Sequence, residues 1–279
     1  MREIAAESVL VSDGARLNLL RAGPESGSAS KSVVVFVPGW CMPAAIWRDS
    51  MLALAHEFES IAIDPRGQGD SDFPAEGYRI ERRSEDIAEC IEHCVPPDVG
   101  VFLVGWSLGA LECLQYVRVR GETRLHGLVL VDSSVGEEPA IPPALGFREA
   151  LRTNRQVALE QFVRGMFRSA RPEEEIAGFV AGALRMPLEN SLSLFPSHVP
   201  RETWRDIVRE VRSPLLYAVT PAYAEQAESL RRARMATRVE IFEEAGHALF
   251  VDQAERFNRM LAEFAARAAR LVQARGGGT

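Results

Sequence analysis

Two short apolar stretches, Val9 to Val11 and Leu17 to Leu20, flank Ser12-Asp13-Gly14, and a turn sequence between two such runs predicts a β-hairpin. Pro24 to Lys31 is rich in Gly, Ser and Ala and reads as an exposed loop. Val33 to Val37 is an unbroken β-branched and aromatic run, the pattern of a strand covered on both faces. Helical spacing over Ala44 to Phe58 follows, then a second buried strand, Ser60 to Asp64. The alternation continues with a helix over Ile80 to Val95, a strand over Val101 to Gly105, a helix over Leu108 to Val119 and a strand over Gly127 to Asp132. Buried strands separated by helices call for crossover connections, hence an α/β fold with a mostly parallel sheet flanked by helices.

From Gly136 to Arg212 the strand pattern lapses, and helical spacing is broken by Pro142, Pro143, Pro172, Pro187, Pro196 and Pro200. The alternation then resumes: strand Leu215 to Val219, helix Ala224 to Ala236, strand Arg238 to Phe242, helix Ala254 to Val272. Eight strands are expected, in a core formed by 1–135 and 213–275, with 136–212 as a helical lid. The glycine-rich end from Arg275 reads as frayed, with 276–279 as a disordered tail.

Composition narrows the function classes. Hydrophobic residues make up 47% and charged residues 25% of 279, enough apolar material for a substantial core. A net charge of −7 argues against nucleic acid as a partner, because such binding needs a basic face to displace counterions. No run approaches the ~20 apolar residues that span a bilayer, so no membrane partner is expected. The first residues lack a signal-peptide pattern, and a cytoplasmic location is expected. The cysteines agree: Cys41, Cys90, Cys94 and Cys113 have no disulfide spacing, and Cys90 and Cys94, one helical turn apart, lack the further ligands of a metal site. Nothing in the sequence bears on oligomeric state.

Gly105-Trp106-Ser107-Leu108-Gly109 follows a buried strand directly and opens a helix. A serine on a sharp strand-to-helix turn needs small neighbours for the turn to close, and its hydroxyl then projects above the sheet. The helix N-terminus beside it offers free N–H groups to developing negative charge. With this motif stand Val37-Pro38-Gly39-Trp40 after the preceding buried strand, Asp64-Pro65-Arg66-Gly67-Gln68-Gly69-Asp70-Ser71 after the next, and Ala245-Gly246-His247 after the last. In this set and order the chain resembles the α/β-hydrolase superfamily nearly end to end. The pairing of Gly39-Trp40 with a Gly-Trp-Ser elbow is most similar to carboxylesterases of the pimeloyl-ester type.

The resemblance implies acyl-transfer roles. Ser107 is the expected nucleophile, inert until a base takes its proton. His247 is the expected base, since imidazole titrates near neutrality and can return the proton to the leaving group. His56, His93 and His126 sit in or beside helices and strands, and His198 lies in the insert, where it could line the cleft. Backbone N–H groups of Leu108 and Trp40 are the expected oxyanion donors. Pro38 departs from the family, which usually carries histidine there. Backbone donors survive that change.

The acid is less direct. Counted from Pro214, the position where the family usually carries it is Tyr223, and a phenol with a reference pKa of about 10 is not an anion near pH 7. Asp132, at the end of the strand after the nucleophile strand, is the first candidate: parallel neighbours lie about 4.8 Å apart and their ends border one cleft. Its competing role is to cap the following turn with Ser133 and Ser134. Glu225 and Glu228 are the fallback, and a dyad without an acid is a further option. Asp64, Arg66, Asp70 and Asp72 belong to a loop that is structural in the family. Phosphate-cradling and dinucleotide glycine motifs are absent, so no cofactor and no metal is expected.

The insert carries Phe147, Phe162, Met166, Phe167, Phe179, Phe195 and Trp204. Most should pack it onto the core, while a few face the cleft together with Trp40, Met42 and Trp106 as substrate-binding residues. The expected reaction is therefore hydrolysis of a small-molecule ester, thioester or lactone with an apolar acyl or aryl part. The alternatives are a C–C bond hydrolase, a cofactor-free perhydrolase, or a catalytically weak ligand-binding homologue.

Overall fold

The computed structural model describes residues 3–24, 32–142 and 145–276. Most of the expected Pro24 to Lys31 loop, Pro143, and 277–279 of the expected tail lie outside them. Gly276, expected in the tail, ends the last helix.

The strands are β1 (Ala5–Leu10), β2 (Arg16–Ala22), β3 (Ser32–Val37), β4 (Glu59–Ile63), β5 (Gly100–Trp106), β6 (Leu125–Val131), β7 (Leu215–Val219) and β8 (Arg238–Ile241). They form one sheet in the order β1-β2-β4-β3-β5-β6-β7-β8. The hairpin β1–β2 runs antiparallel to its neighbour β4, and the six remaining strands are parallel. Successive side chains point to opposite faces. Phe36, Phe102, Val104 and Val129 therefore join α1 (Arg48–Leu54) and the long last helix, α11 (Ala254–Gly276), in one core. Val35, Val101, Leu103 and Leu130 join α2 (Ile80–Cys94) and α3 (Leu108–Arg120) in a second. Each large apolar side chain so buried contributes about 1.5–3 kcal/mol, which is why the continuous apolar runs become the central strands.

Among the described residues, five helices lie between β6 and β7: α4 (Leu145–Thr153), α5 (Arg155–Gly165), α6 (Glu173–Arg185), α7 (Leu188–Ser193) and α8 (Arg201–Glu210). Pro172, Pro187 and Pro200, which interrupt the spacing, stand at the N-caps of α6, α7 and α8, where a missing N–H removes no helical hydrogen bond. Asn154 caps α5 by accepting from Val157 N at 3.3 Å.

The helix expected over Ala44 to Phe58 divides into a 3-10 turn (Ala44–Trp47) and α1. Ala44 N is taken by the Asp64 carboxylate at 2.5 Å. At the junction the Trp47 indole stacks on Phe250 at 3.9 Å and packs on Phe36 at 4.8 Å. Tertiary packing of one large ring thus overrides the helical period. Beyond β7 come α9 (Ala224–Ala233) and, after β8, a four-residue helix α10 (Leu249–Asp252) too short to leave a periodic signature. Because β3 to β8 are parallel, the segments after β3, β5, β6, β7 and β8 all emerge at one edge of the sheet, and the rings of the insert reach Trp40 on that edge.

Candidate active site

Ser107 sits between β5 and α3 with φ 55° and ψ −121°, a conformation that costs a non-glycine residue about 1–3 kcal/mol. The surroundings leave it no alternative. Ser107 N donates to Val131 O at 2.9 Å, tying the turn to β6. A Cβ on Gly105 would lie 2.4 Å from Gly109 O, and one on Gly109 would lie 2.5 Å from Val37 O and 2.6 Å from Pro38 O. Those partners are backbone atoms and cannot rotate away, so both glycines are required for strand, helix and the loop after β3 to meet. A Cβ on Gly39 would stand 3.1 Å from Ser107 Cβ, which brings the Pro38-Gly39-Trp40 loop directly beside the serine. Leu108 opens α3, so its N–H belongs to the first turn and has no partner within the helix.

His247 follows β8 in the turn before α10. With its proton on Nδ1, the imidazole donates to Asp132 Oδ2 at 2.7 Å and accepts from Ser107 Oγ on Nε2 at 2.9 Å. Asp132 is buried at 2% exposure, directly after β6, with φ 43°. Its other oxygen, Oδ1, accepts from Thr220 N at 2.6 Å and from Thr220 Oγ1 at 2.8 Å. The backbone of the histidine turn is held by three hydrogen bonds. Trp106 Nε1 donates to His247 O at 2.8 Å, Ala248 N donates to Met166 O at 2.8 Å, and Gly246 N donates to Asp252 Oδ2 at 2.7 Å. A Cβ on Gly246 would lie 2.7 Å from Met166 O, so the turn and the segment after α5 pass in close contact.

Asp252 also accepts from Arg168 N at 2.8 Å, from Ser169 N at 2.9 Å and from the Ser169 hydroxyl. Burial pushes its carboxyl up, but the Ser169 hydroxyl and the three amides outweigh burial and hold it below the usual carboxylate range. One carboxylate thereby fastens the insert to the histidine turn.

The sequence singled out Ser107, His247 and Asp132, and these three side chains meet. The other candidates stand apart. Glu225 is exposed, and Glu228 pairs with Arg231 at 2.8 Å on the surface. Tyr223, at the position where the family usually carries its acid, is pushed up to about 12 by burial and by the nearby Asp132 charge, and is neutral at pH 7. His198 bonds Glu81 at 2.8 Å, His126 bonds Ser32 Oγ at 2.7 Å, and His56 lies 3.3 Å from Glu57. Asp64 receives Ala44 N, Asn18 Nδ2 and Asp70 N, while Arg66 makes a bidentate pair with Asp86 at 2.6 and 2.7 Å. Those groups join loops. Among the described residues no group of three or more His, Cys, Asp or Glu is placed to hold a metal.

Two substrate-binding expectations need correction. Trp106 is 1% exposed and Met42 0% exposed, so neither presents surface to a ligand. Residues on β5 alternate between faces, and the Trp106 indole goes beneath the site, against Phe250 at 5.2 Å and under His247. Met42 is enclosed in the same core. Trp40 does meet the insert: its ring lies 5.3, 5.4 and 5.5 Å from Phe147, Phe162 and Phe195, and its Nε1 donates to Ser191 O at 2.8 Å. Thr220, Asp252 and the donor role of Trp106 were not foreseen. The partners of Thr220 and Trp106, and those of Asp252 in the insert, are remote in sequence, and only Trp106, inside the serine motif, carried any signal.

A hydroxyl, an imidazole and a buried carboxylate in this line can pass the hydroxyl proton to the imidazole as the oxygen attacks an electrophilic carbon. The family model described as alpha/beta hydrolase family matches residues 34–260. A pimeloyl-acyl-carrier-protein methyl ester esterase from Aeromonas hydrophila is 26% identical over 257 residues, covering 83% of this chain and 94% of that protein. A putative 2-succinyl-6-hydroxy-2,4-cyclohexadiene-1-carboxylate synthase from Bacillus subtilis is 27% identical, covering 92% and 97%. Among solved structures, an esterase from Exiguobacterium antarcticum superposes with a TM-score of 0.80 at 23% identity, covering 93% of this chain and 98% of the other.

Proposed function

The chain belongs to the alpha/beta hydrolase family, and from that premise we propose that it is a serine hydrolase cleaving a carboxylic ester, thioester or lactone with an apolar acyl or aryl part through a covalent acyl-enzyme. The observation that carries this reading is the unbroken line from Ser107 Oγ through His247 to Asp132, at 2.9 and 2.7 Å, on a strained turn. His247 Nε2 takes the hydroxyl proton as Oγ attacks the carbonyl carbon. The carbonyl π electrons move to oxygen, and the N–H groups of Leu108 and Trp40 receive the oxyanion. Buried Asp132 fixes the imidazole tautomer and offsets the imidazolium charge. The imidazolium then protonates the leaving alkoxide or thiolate. A water, deprotonated by the same Nε2, attacks the acyl-enzyme, and collapse of the second tetrahedral intermediate returns Ser107 its proton and releases the acid.

The acyl preference follows from the rings beside the serine. Trp40, next to Gly39 and itself buried, packs against Phe147, Phe162 and Phe195, which are half-buried. An apolar group brought against them loses water contact without leaving a polar atom unpaired. Residues 136–212 are proposed to act as the lid that carries this wall. The Aeromonas relative is named for hydrolysis of a methyl ester, the bond type proposed here. The hydrogen bond from His247 to Asp132 supports this reading over a weak ligand-binding homologue, because it supplies the imidazole with a carboxylate partner.

Turnover of a p-nitrophenyl butyrate or benzoate tests the proposal. Ser107→Ala is expected to lower kcat by about 10⁴-fold or more with an unchanged thermal transition. A folded Ser107→Ala protein that keeps most of the parent turnover would overturn it.

A further inference from the structure

We infer that Thr220 is a positioning residue of the reaction: its hydroxyl and amide together clamp one oxygen of Asp132 so that the other is aimed at His247. The inference rests on the proposed acid role of Asp132. It starts from how a carboxylate on a single-bond rotor is held. Asp132 hangs from the residue directly after β6, and rotation about its side-chain bonds would swing either oxygen away from the imidazole. A fixed aim needs donors on the oxygen that the histidine does not use.

Thr220 supplies both. It stands directly after β7, the parallel neighbour of β6, and Asp132 N donates to Ala218 O at 2.8 Å, which ties the two strand ends in register. From there Thr220 N and Oγ1 reach Asp132 Oδ1 at 2.6 and 2.8 Å, while Oδ2 faces His247 Nδ1 at 2.7 Å. All three bonds go to an anion 2% exposed to solvent, where charge-assisted hydrogen bonds are strongest and water does not replace a lost donor. Thr220 itself is buried at 6% exposure and N-caps the turn Pro221–Tyr223 without a side-chain cap bond, so its hydroxyl is committed to Asp132 rather than to the following turn. The nearby phenol of Tyr217 donates to Ser133 O at 2.5 Å and is likewise engaged elsewhere.

The hydroxyl is separable from the amide by substitution. Thr220→Val keeps the shape and the N–H and removes one donor. Thr220→Ser keeps the donor and loses a methyl. The expected result is a fall of about 10- to 100-fold in kcat for Thr220→Val with KM unchanged, and activity near the parent for Thr220→Ser. The low-field proton resonance of His247 Nδ1–H should move in Thr220→Val and keep its place in Thr220→Ser. In an Asp132→Asn background the Thr220→Val penalty should largely vanish, because the two residues act through one contact. Parent-like kcat and proton resonance in Thr220→Val, or an equal loss in Thr220→Val and Thr220→Ser, would overturn the inference. An undiminished penalty in the Asp132→Asn background would do the same. Should Thr220→Val unfold, Thr220→Ala carries the same comparison. If Asp132→Asn itself retains parent activity, the acid assignment fails with it; if only Thr220→Val is silent, the acid assignment stands and the clamp alone is wrong.

Discussion

Two turns meet at the 2.9 Å contact between Ser107 and His247, and they are built in opposite ways. The serine turn is held by close backbone packing: two glycines four residues apart, Gly105 and Gly109, give way to the carbonyls of Gly109 and of Val37 and Pro38, and Ser107 is pressed into positive φ between strand and helix. The histidine turn has one local tie, Gly246 N on Asp252, and is otherwise held at long range. Its position depends on Trp106 from β5, Met166 after α5, Asp252 from α10 and Asp132 after β6, reached across as many as 141 residues. The proposed nucleophile is thus set by steric contact of backbones around one turn, while the proposed base is set by hydrogen bonds arriving from β5, β6, the insert and α10.

Substitutions can break that comparison. The largest effect is expected at the proposed acid: Asp132→Asn should lower kcat by about 10³- to 10⁴-fold, since the amide presents the wrong tautomer partner and no charge. Glu225→Gln, on the exposed start of α9, should stay within about twofold. Next comes Gly109→Ala, whose methyl would sit 2.5 Å from Val37 O. It should cost about 1–3 kcal/mol in stability and about 100-fold in kcat, because the serine turn has no slack. Denaturant unfolding and p-nitrophenyl ester turnover check both. Trp106→Phe removes the donor to His247 O, and a fall of up to about tenfold in kcat is expected with Ser107 still reactive toward a fluorophosphonate.

Asp252→Asn should lower turnover less than Trp106→Phe, with its main effect on stability. The native carboxyl is held below its ordinary value, so its contribution is complete above the unfolded value of about 3.9 and is lost as pH falls through the lower native value. Thermal unfolding should therefore show parent and Asp252→Asn separated at pH 7 and converging below about pH 4. A gap that stays constant down to the acid range would mean the carboxylate does not act through its charge.

The same contrast explains what could be read from the sequence. The central strands β3 to β7 were legible because buried parallel strands are continuous apolar runs, the hairpin was legible from its turn Ser12-Asp13-Gly14 although β1 lies mostly before the run Val9 to Val11, and the serine turn was legible because its steric demands fall on Gly105 and Gly109 beside it. The hinge between the 3-10 turn and α1 was not, since Trp47 bends the chain to reach Phe36 and Phe250. Trp106 and Met42 were expected at the cleft surface because their neighbours are, yet strand alternation and core packing turn them inward. Thr220 and the link from Asp252 to the insert left no trace, as Asp132 and the Arg168–Ser169 amides come near them only after folding.

The most direct measurement is mass spectrometry of the protein quenched during turnover of a slowly deacylated p-nitrophenyl ester. An acyl adduct on the peptide containing Ser107, absent in Ser107→Ala and formed far more slowly in His247→Ala, is the predicted result. Full turnover with no adduct on Ser107, or with the acyl group on another residue, would contradict it.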